Sequence, residues 1–153
     1  MRKRYTIAEA NRTLPYVSAI VREVQERYRV VQESGRLHNS LPSSDEERRG
    51  TLKAEIREAA DRIRVCLDEL QAIGAELKDY ELGLVDFPAE LEGRPILLCW
   101  KLGEERIAFW HEIEGGYKTR QPVPEGEADW PPAAAQDSQS GAKQRPPKSP
   151  RRP

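Results

Sequence analysis

Apolar residues recur along the first half of the chain as Val17, Val21, Val24, Tyr28 and Val31, at spacings of 4, 3, 4 and 3. That alternation keeps one seam of an α-helix turned toward a partner helix. The same rhythm returns at Leu52, Ile56, Ala59, Ile63, Cys66, Leu70 and Ile73. Punctuation bounds both runs. Thr6-Ile7-Ala8-Glu9 reads as a capping box that starts a short helix, Ile7 to Thr13. Pro15 then predicts a corner at Leu14-Pro15 and the first turn of a second, long helix. Gly35 predicts a stop at Ser34. Ser44-Asp45-Glu46-Glu47 is a second capping box, and Gly74 closes the helix it opens. The long helices, about 20 and about 29 residues with about ten between them, must then lie antiparallel. Ile20, Ala60 and Leu67 widen the stripe beyond a two-position seam, so the hairpin needs a further partner. The β unit, the short first helix and a second copy all qualify.

Past Ala75 the period changes. Gly83-Leu84-Val85-Asp86-Phe87-Pro88 reads as a short strand closed by proline. Arg94–Lys101 and Arg106–Ile113 are β-rich runs around Leu102-Gly103-Glu104-Glu105, which predicts a hairpin with a two-residue turn. That turn sets Trp100 opposite Ile107, Leu98 opposite Phe109 and Ile96 opposite His111. One face then carries Ile96, Leu98, Trp100, Ile107, Phe109, His111 and Ile113 as core, and the other carries Cys99, Trp110 and Glu112. The expected fold is α+β: a long antiparallel two-helix coiled-coil hairpin with a short N-terminal helix, plus a small antiparallel β-sheet. Residues 1–123 form one folded domain, 5–74 helical and 75–123 β. From Pro124 onward there are seven prolines and no periodicity. Residues 124–153 therefore read as a disordered Pro-rich tail.

Composition narrows the function classes. Charged residues make up 33% with a formal net charge of -1, so bulk electrostatics favour neither nucleic acid nor a membrane surface. The tail's Lys143, Arg145, Lys148, Arg151 and Arg152 could add phosphate affinity. They lack interleaved aromatics, and nucleic acid is not the expected partner. Cys66 and Cys99 sit far apart, which suits buried thiols in a reducing compartment. Met1-Arg2-Lys3-Arg4 has no apolar run behind it, and Ile96–Trp100 is too short to span a bilayer. The cytoplasm is the expected location.

Several short motifs carry a resemblance. Tyr5-Thr6, Leu14-Pro15, Leu77-Lys78-Asp79, Gly83 to Pro88, Leu98 to Glu104, Trp110-His111-Glu112, and Gly116-Tyr117 to Arg120-Gln121-Pro122 together resemble the bacterial and archaeal domain-of-unknown-function 2203 family over residues 5–123. Thr119 departs from the glycine expected before Arg-Gln-Pro. The resemblance implies that the hairpin-plus-β arrangement recurs, and it carries no activity across.

The polar residues of the β half are Asp79, Asp86, Cys99, Lys101, Glu104, His111, Glu112 and Arg120. His111-Glu112 lacks the second histidine of an HExxH helix. In the register above, Cys99 and His111 point to opposite faces, as do His111 and Glu112, so no metal set and no cofactor is expected. His111 is then a hydrogen-bonded histidine at the core margin, Asp79 and Asp86 are turn or strand-end caps, and Arg120 either clamps an anion or carboxylate or pairs with Glu112 or Asp86. The widened stripe makes a non-enzymatic interaction or oligomerisation module the first expectation, with self-association or a helical protein as partner. The alternative is a small metal- or ligand-binding site, possible home of a hydrolytic activity, at the hairpin base. Its residues are Asp79, Asp86, His111, Glu112 and Arg120, and it stands or falls on their convergence.

Overall fold

The two heptad rhythms form two antiparallel helices, and the first is longer than its own punctuation suggests. In a computed structural model that describes residues 3–133, α1 spans Ile7–Ser40 and α2 spans Glu46–Ala72. The strands are β1 (Glu76–Asp79), β2 (Leu84–Leu91), β3 (Arg94–Lys101), β4 (Phe109–Glu112) and β5 (Gln121–Pro122), with a 3-10 turn at Tyr117–Thr119. The class is α+β, as the pattern required.

No corner forms at Leu14-Pro15. Pro15 lies inside α1, where a missing donor and a clash with the preceding turn cost about 3 kcal/mol. Leu14 and Val17 are buried on either side of it, and each such burial returns about 1.5–3 kcal/mol, enough to hold the helix together. Gly35 does not stop α1 either. Arg49 of α2 donates from Nη1 to the carbonyls of His38 and Leu41, both at 3.1 Å, and so caps the helix from across the hairpin. Since Gly35 is mid-helix with nothing within 4 Å of an added Cβ, Gly35→Ala should stabilise the protein by about 0.5–1 kcal/mol. Urea unfolding checks this, and a loss of stability would mean that the helix breaks at Gly35 after all. α2 begins one residue later than its sequence box implies: Asp45, not Ser44, accepts from the Arg48 amide at 3.3 Å.

The sheet is an antiparallel meander ordered β1-β2-β3-β4-β5. Its inner face, built from Val85, Phe87, Ala89, Ile96, Leu98 and Trp100, joins Val17, Ile20, Val21, Val24, Ile63, Cys66 and Leu70 in one core cluster. The chain's own sheet therefore covers Ile20; Leu67 packs half-buried on the same core, and Ala60 stays exposed. β2 runs through Pro88 because the Pro88 carbonyl points away from β3 to accept from the Tyr5 amide at 2.8 Å. A strand residue's N and O point the same way, so no ladder bond to β3 is lost. Among the described residues, no helix is long and apolar enough to cross a membrane.

Two corrections matter for the site. Leu102 to Ala108 is not a two-residue hairpin turn but a longer loop wound around Glu104. The Glu104 carbonyl accepts from Trp100 Nε1 at 2.9 Å, its Oε1 accepts from the Lys101 amide at 2.7 Å, and Asn11 Oδ1 takes the Ile107 amide at 2.8 Å. The register becomes Ile96 opposite Glu112, Leu97 opposite His111, Leu98 opposite Trp110 and Cys99 opposite Phe109. A slip of one residue exchanges every side chain on β4 between faces. Trp110 goes to the core and His111 to the outer face.

The second correction concerns residues 124–133, which the composition assigns to a disordered tail. Trp130 is buried against Trp110 with ring centroids 5.9 Å apart. The carbonyls of Trp130 and Ala128 accept from the Ile7 and Ala8 amides at 2.7 and 2.8 Å. Those are two of the helix-start donors that the Thr6–Glu9 capping box leaves free, and the box itself is present. The remainder of the expected tail, 134–153, lies outside the described residues.

Candidate functional site

The outer face of the sheet, turned away from the helices, ought to be polar and wet. Instead it holds three buried side chains with metal-ligating atoms. Asp86 of β2 is directly opposite Cys99 of β3, and His111 of β4 sits one row along, opposite Leu97. The imidazole reaches diagonally so that its Nε2 lies 3.1 Å from Asp86 Oδ1. Asp86, Cys99 and His111 are 4%, 1% and 2% exposed, and one ligand atom from each lies within 4.8 Å of the others. The Cys99–His111 separation expected from the two-residue turn is thus overturned by the register.

The proton inventory of this cluster is constrained. His111 Nδ1 lies 2.7 Å from the Glu112 carbonyl, which can only accept, so Nδ1 carries a hydrogen. The short Nε2–Oδ1 approach needs a second proton, held by the ring or by the carboxyl. Burial raises the Asp86 carboxyl above its ordinary range, and the charge of His111 partly opposes the shift. Burial likewise pushes the Cys99 thiol up to about 12, with Asp86 adding to the effect. A thiol held neutral in this way is no resting nucleophile. A Cys-His-Asp triad also needs the imidazole to bridge thiol and carboxylate through opposite nitrogens, and here Nδ1 is spent on a backbone carbonyl. Nucleophilic catalysis does not fit. Metal ligation does: Nδ1–H bonded to a carbonyl is the arrangement that fixes a histidine's tautomer and presents Nε2 to an ion.

Arg120 supports the cluster from above. Its guanidinium is held by both Glu104 oxygens at 3.0 Å and lies between the rings of Phe109 and Tyr117, 4.0 and 4.4 Å from their centroids. Because Phe109 is the cross-strand neighbour of Cys99, this sets Arg120 on the Cys99 side of the cluster, where its charge acts on the thiol. On the other side, Asp86, Pro88 and Leu97 form one wall of a cleft of about 870 Å³ where the end of α2 meets β1 and β2.

Of the five residues chosen from the sequence, the structure brings Asp86 and His111 together, with Arg120 adjoining through Cys99. Asp79 caps its own turn by accepting from the Leu82 amide at 2.8 Å, as expected of a turn aspartate. Glu112 faces the other way and pairs with Arg94 at 2.8 Å, and Arg120 pairs with Glu104 rather than with Glu112 or Asp86. His111 does bond to a carboxylate and a carbonyl, but on the outer face. Cys99 was separated from the set only by the assumed register. The signal for it is the alternation along the two strands, which sets Asp86 and Cys99 on one face when β2 pairs with β3.

A helical hairpin backed on one face by an antiparallel meander, with a buried Asp-Cys-His cluster on the other face of the sheet, defines a small two-layer α+β protein. The chain belongs to the family described as an uncharacterized conserved protein, DUF2203, whose model matches residues 3–123. No curated protein and no solved structure matches it.

Proposed function

We propose that the protein binds a divalent metal ion of the zinc class through Asp86 Oδ1, Cys99 Sγ and His111 Nε2. The observation that carries this is the convergence of three buried ligand atoms of mixed O, S and N type. Donors bound at about 2.0–2.3 Å to a tetrahedral ion lie about 3.3–3.6 Å apart, so closing the set needs displacements of about an ångström. A thiolate with an imidazole selects zinc, cobalt or cadmium over magnesium or calcium. The ion takes the place of the proton between His111 and Asp86 and of the thiol proton, so binding releases protons and tightens as pH rises.

Equilibrium dialysis of the full chain against zinc should give one ion per chain. Cys99→Ser and His111→Ala should each weaken binding at least 100-fold, whereas Glu112→Gln, outside the cluster, should leave it unchanged. Equal binding by Cys99→Ser and the parent chain would remove the reading.

The interaction-module reading stays second. Its main support, the wide stripe, is largely taken up by the chain's own sheet. What favours it is Val30 and Leu37, one heptad apart on α1 and 37% and 44% exposed. Light scattering that finds a monomer at all micromolar concentrations would leave self-association without support.

A further inference from the structure

Resting on that reading, we infer that the fourth coordination position of the ion opens on the cleft beside Asp86 and takes a small anionic donor from solution. The number of protein ligands is the first ground. Among the described residues Asp86, Cys99 and His111 form the one set of His, Cys, Asp or Glu close enough to hold an ion, and it has three members. Structural zinc sites close with four protein ligands, whereas sites that meet an outside ligand keep three and leave a position free.

Direction of access is the second ground. The Cys99 flank is shut by Arg120, itself 11% exposed, wedged between Phe109 and Tyr117 and clamped by Glu104. The His111 flank is tied to the Glu112 carbonyl by Nδ1. Asp86 alone of the three contributes to the wall of the 870 Å³ cleft, a volume in the range that admits small organic molecules. A ligand therefore arrives past Asp86, along the wall that Asp86 shares with Pro88 and Leu97.

Charge sets the ligand class. Two positive charges on the ion are balanced by the Asp86 carboxylate and the Cys99 thiolate, and His111 is neutral as a ligand. The entry is lined by Lys3, with Lys78 acting on Asp86 from nearby. Glu76 in the same wall is paired with Lys78 at 3.1 Å, and Lys3 faces Glu9 at 3.6 Å, so the rim as a whole is close to neutral. With the site and its rim near neutral, selection rests on the ion as a Lewis acid, which holds a negatively charged oxygen or nitrogen donor more firmly than a neutral water.

The test uses the full chain loaded with cobalt(II), whose visible absorption reports coordination number. Azide and acetate should each shift the spectrum saturably. Gln71→Trp, which narrows the cleft from its α2 wall and lies on none of the ligand strands, should keep cobalt at one per chain and weaken azide at least tenfold. A cobalt-loaded chain whose spectrum ignores both anions overturns this inference alone and makes the site a closed one. Failure to bind cobalt at all overturns the metal reading and this inference with it.

Discussion

His111→Ala is expected to lower the unfolding free energy of the metal-free protein by about 3–5 kcal/mol, the range for breaking a buried pair by deleting one member. The imidazole is 2% exposed and is the partner of an Asp86 carboxyl that is itself 4% exposed. Without the ring Asp86 has no strong partner in the outer face, and a cavity is left between Leu97 and the strands. Asp86→Asn is the informative comparison. An amide can donate to Nε2 and preserve the bond between neutral groups, so its loss should be about 0.5–1.5 kcal/mol, that of an ordinary hydrogen bond. Urea unfolding in the presence of a chelator measures both. A loss below about 1 kcal/mol for His111→Ala would show that the pair contributes little and that the cluster is not a tightly packed unit.

Ending the chain at residue 123, where the family match stops, is expected to cost more than its composition suggests. Removing Trp130 forfeits about 3–5 kcal/mol, the usual loss for deleting a buried indole. It also strips the carbonyl partners from the Ile7 and Ala8 amides, worth about 1 kcal/mol for each lost cap. Against a typical total of about 5–15 kcal/mol, a chain of residues 1–123 sits near the edge of folding. A chain of residues 1–133 keeps both features and should unfold at a higher midpoint than 1–123. Trp130→Ala in the full chain isolates the ring's share. Identical thermal midpoints for 1–123 and 1–133 would mean that residues 124–133 do not belong to the folded unit.

The sequence shows the helical seam plainly because most of its positions, Val17, Val21, Val24, Ile63, Cys66 and Leu70 among them, are buried in the one core cluster. Local rules failed where distant groups intervened. Gly35 and Pro15 are helix breakers in isolation, but the cap from Arg49 and the burial of Leu14 and Val17 override them. Trp130 was read with its proline-rich neighbours, although an indole six residues beyond Pro124 was a hint that the chain returns to the core. The site was lost to a single register step. Leu102 to Ala108 carries the glycine of a tight turn, yet Glu104 folds back onto Trp100, Lys101 and Arg120, and no local signal announces those four bonds. With the turn misplaced by one residue, His111 appeared on the core face and Cys99 on the opposite one. Asp86 and His111 do converge, and the Cys99 thiol that joins them is out of their reach in the register a two-residue turn implies.

The most direct test of the metal centre is X-ray absorption at the zinc edge of the zinc-loaded full chain. One sulfur scatterer is expected at about 2.3 Å and the remaining scatterers, nitrogen or oxygen, at about 2.0–2.2 Å, with the sulfur lost in Cys99→Ser. A first shell of oxygen and nitrogen alone in the parent chain, unchanged by Cys99→Ser, would contradict it.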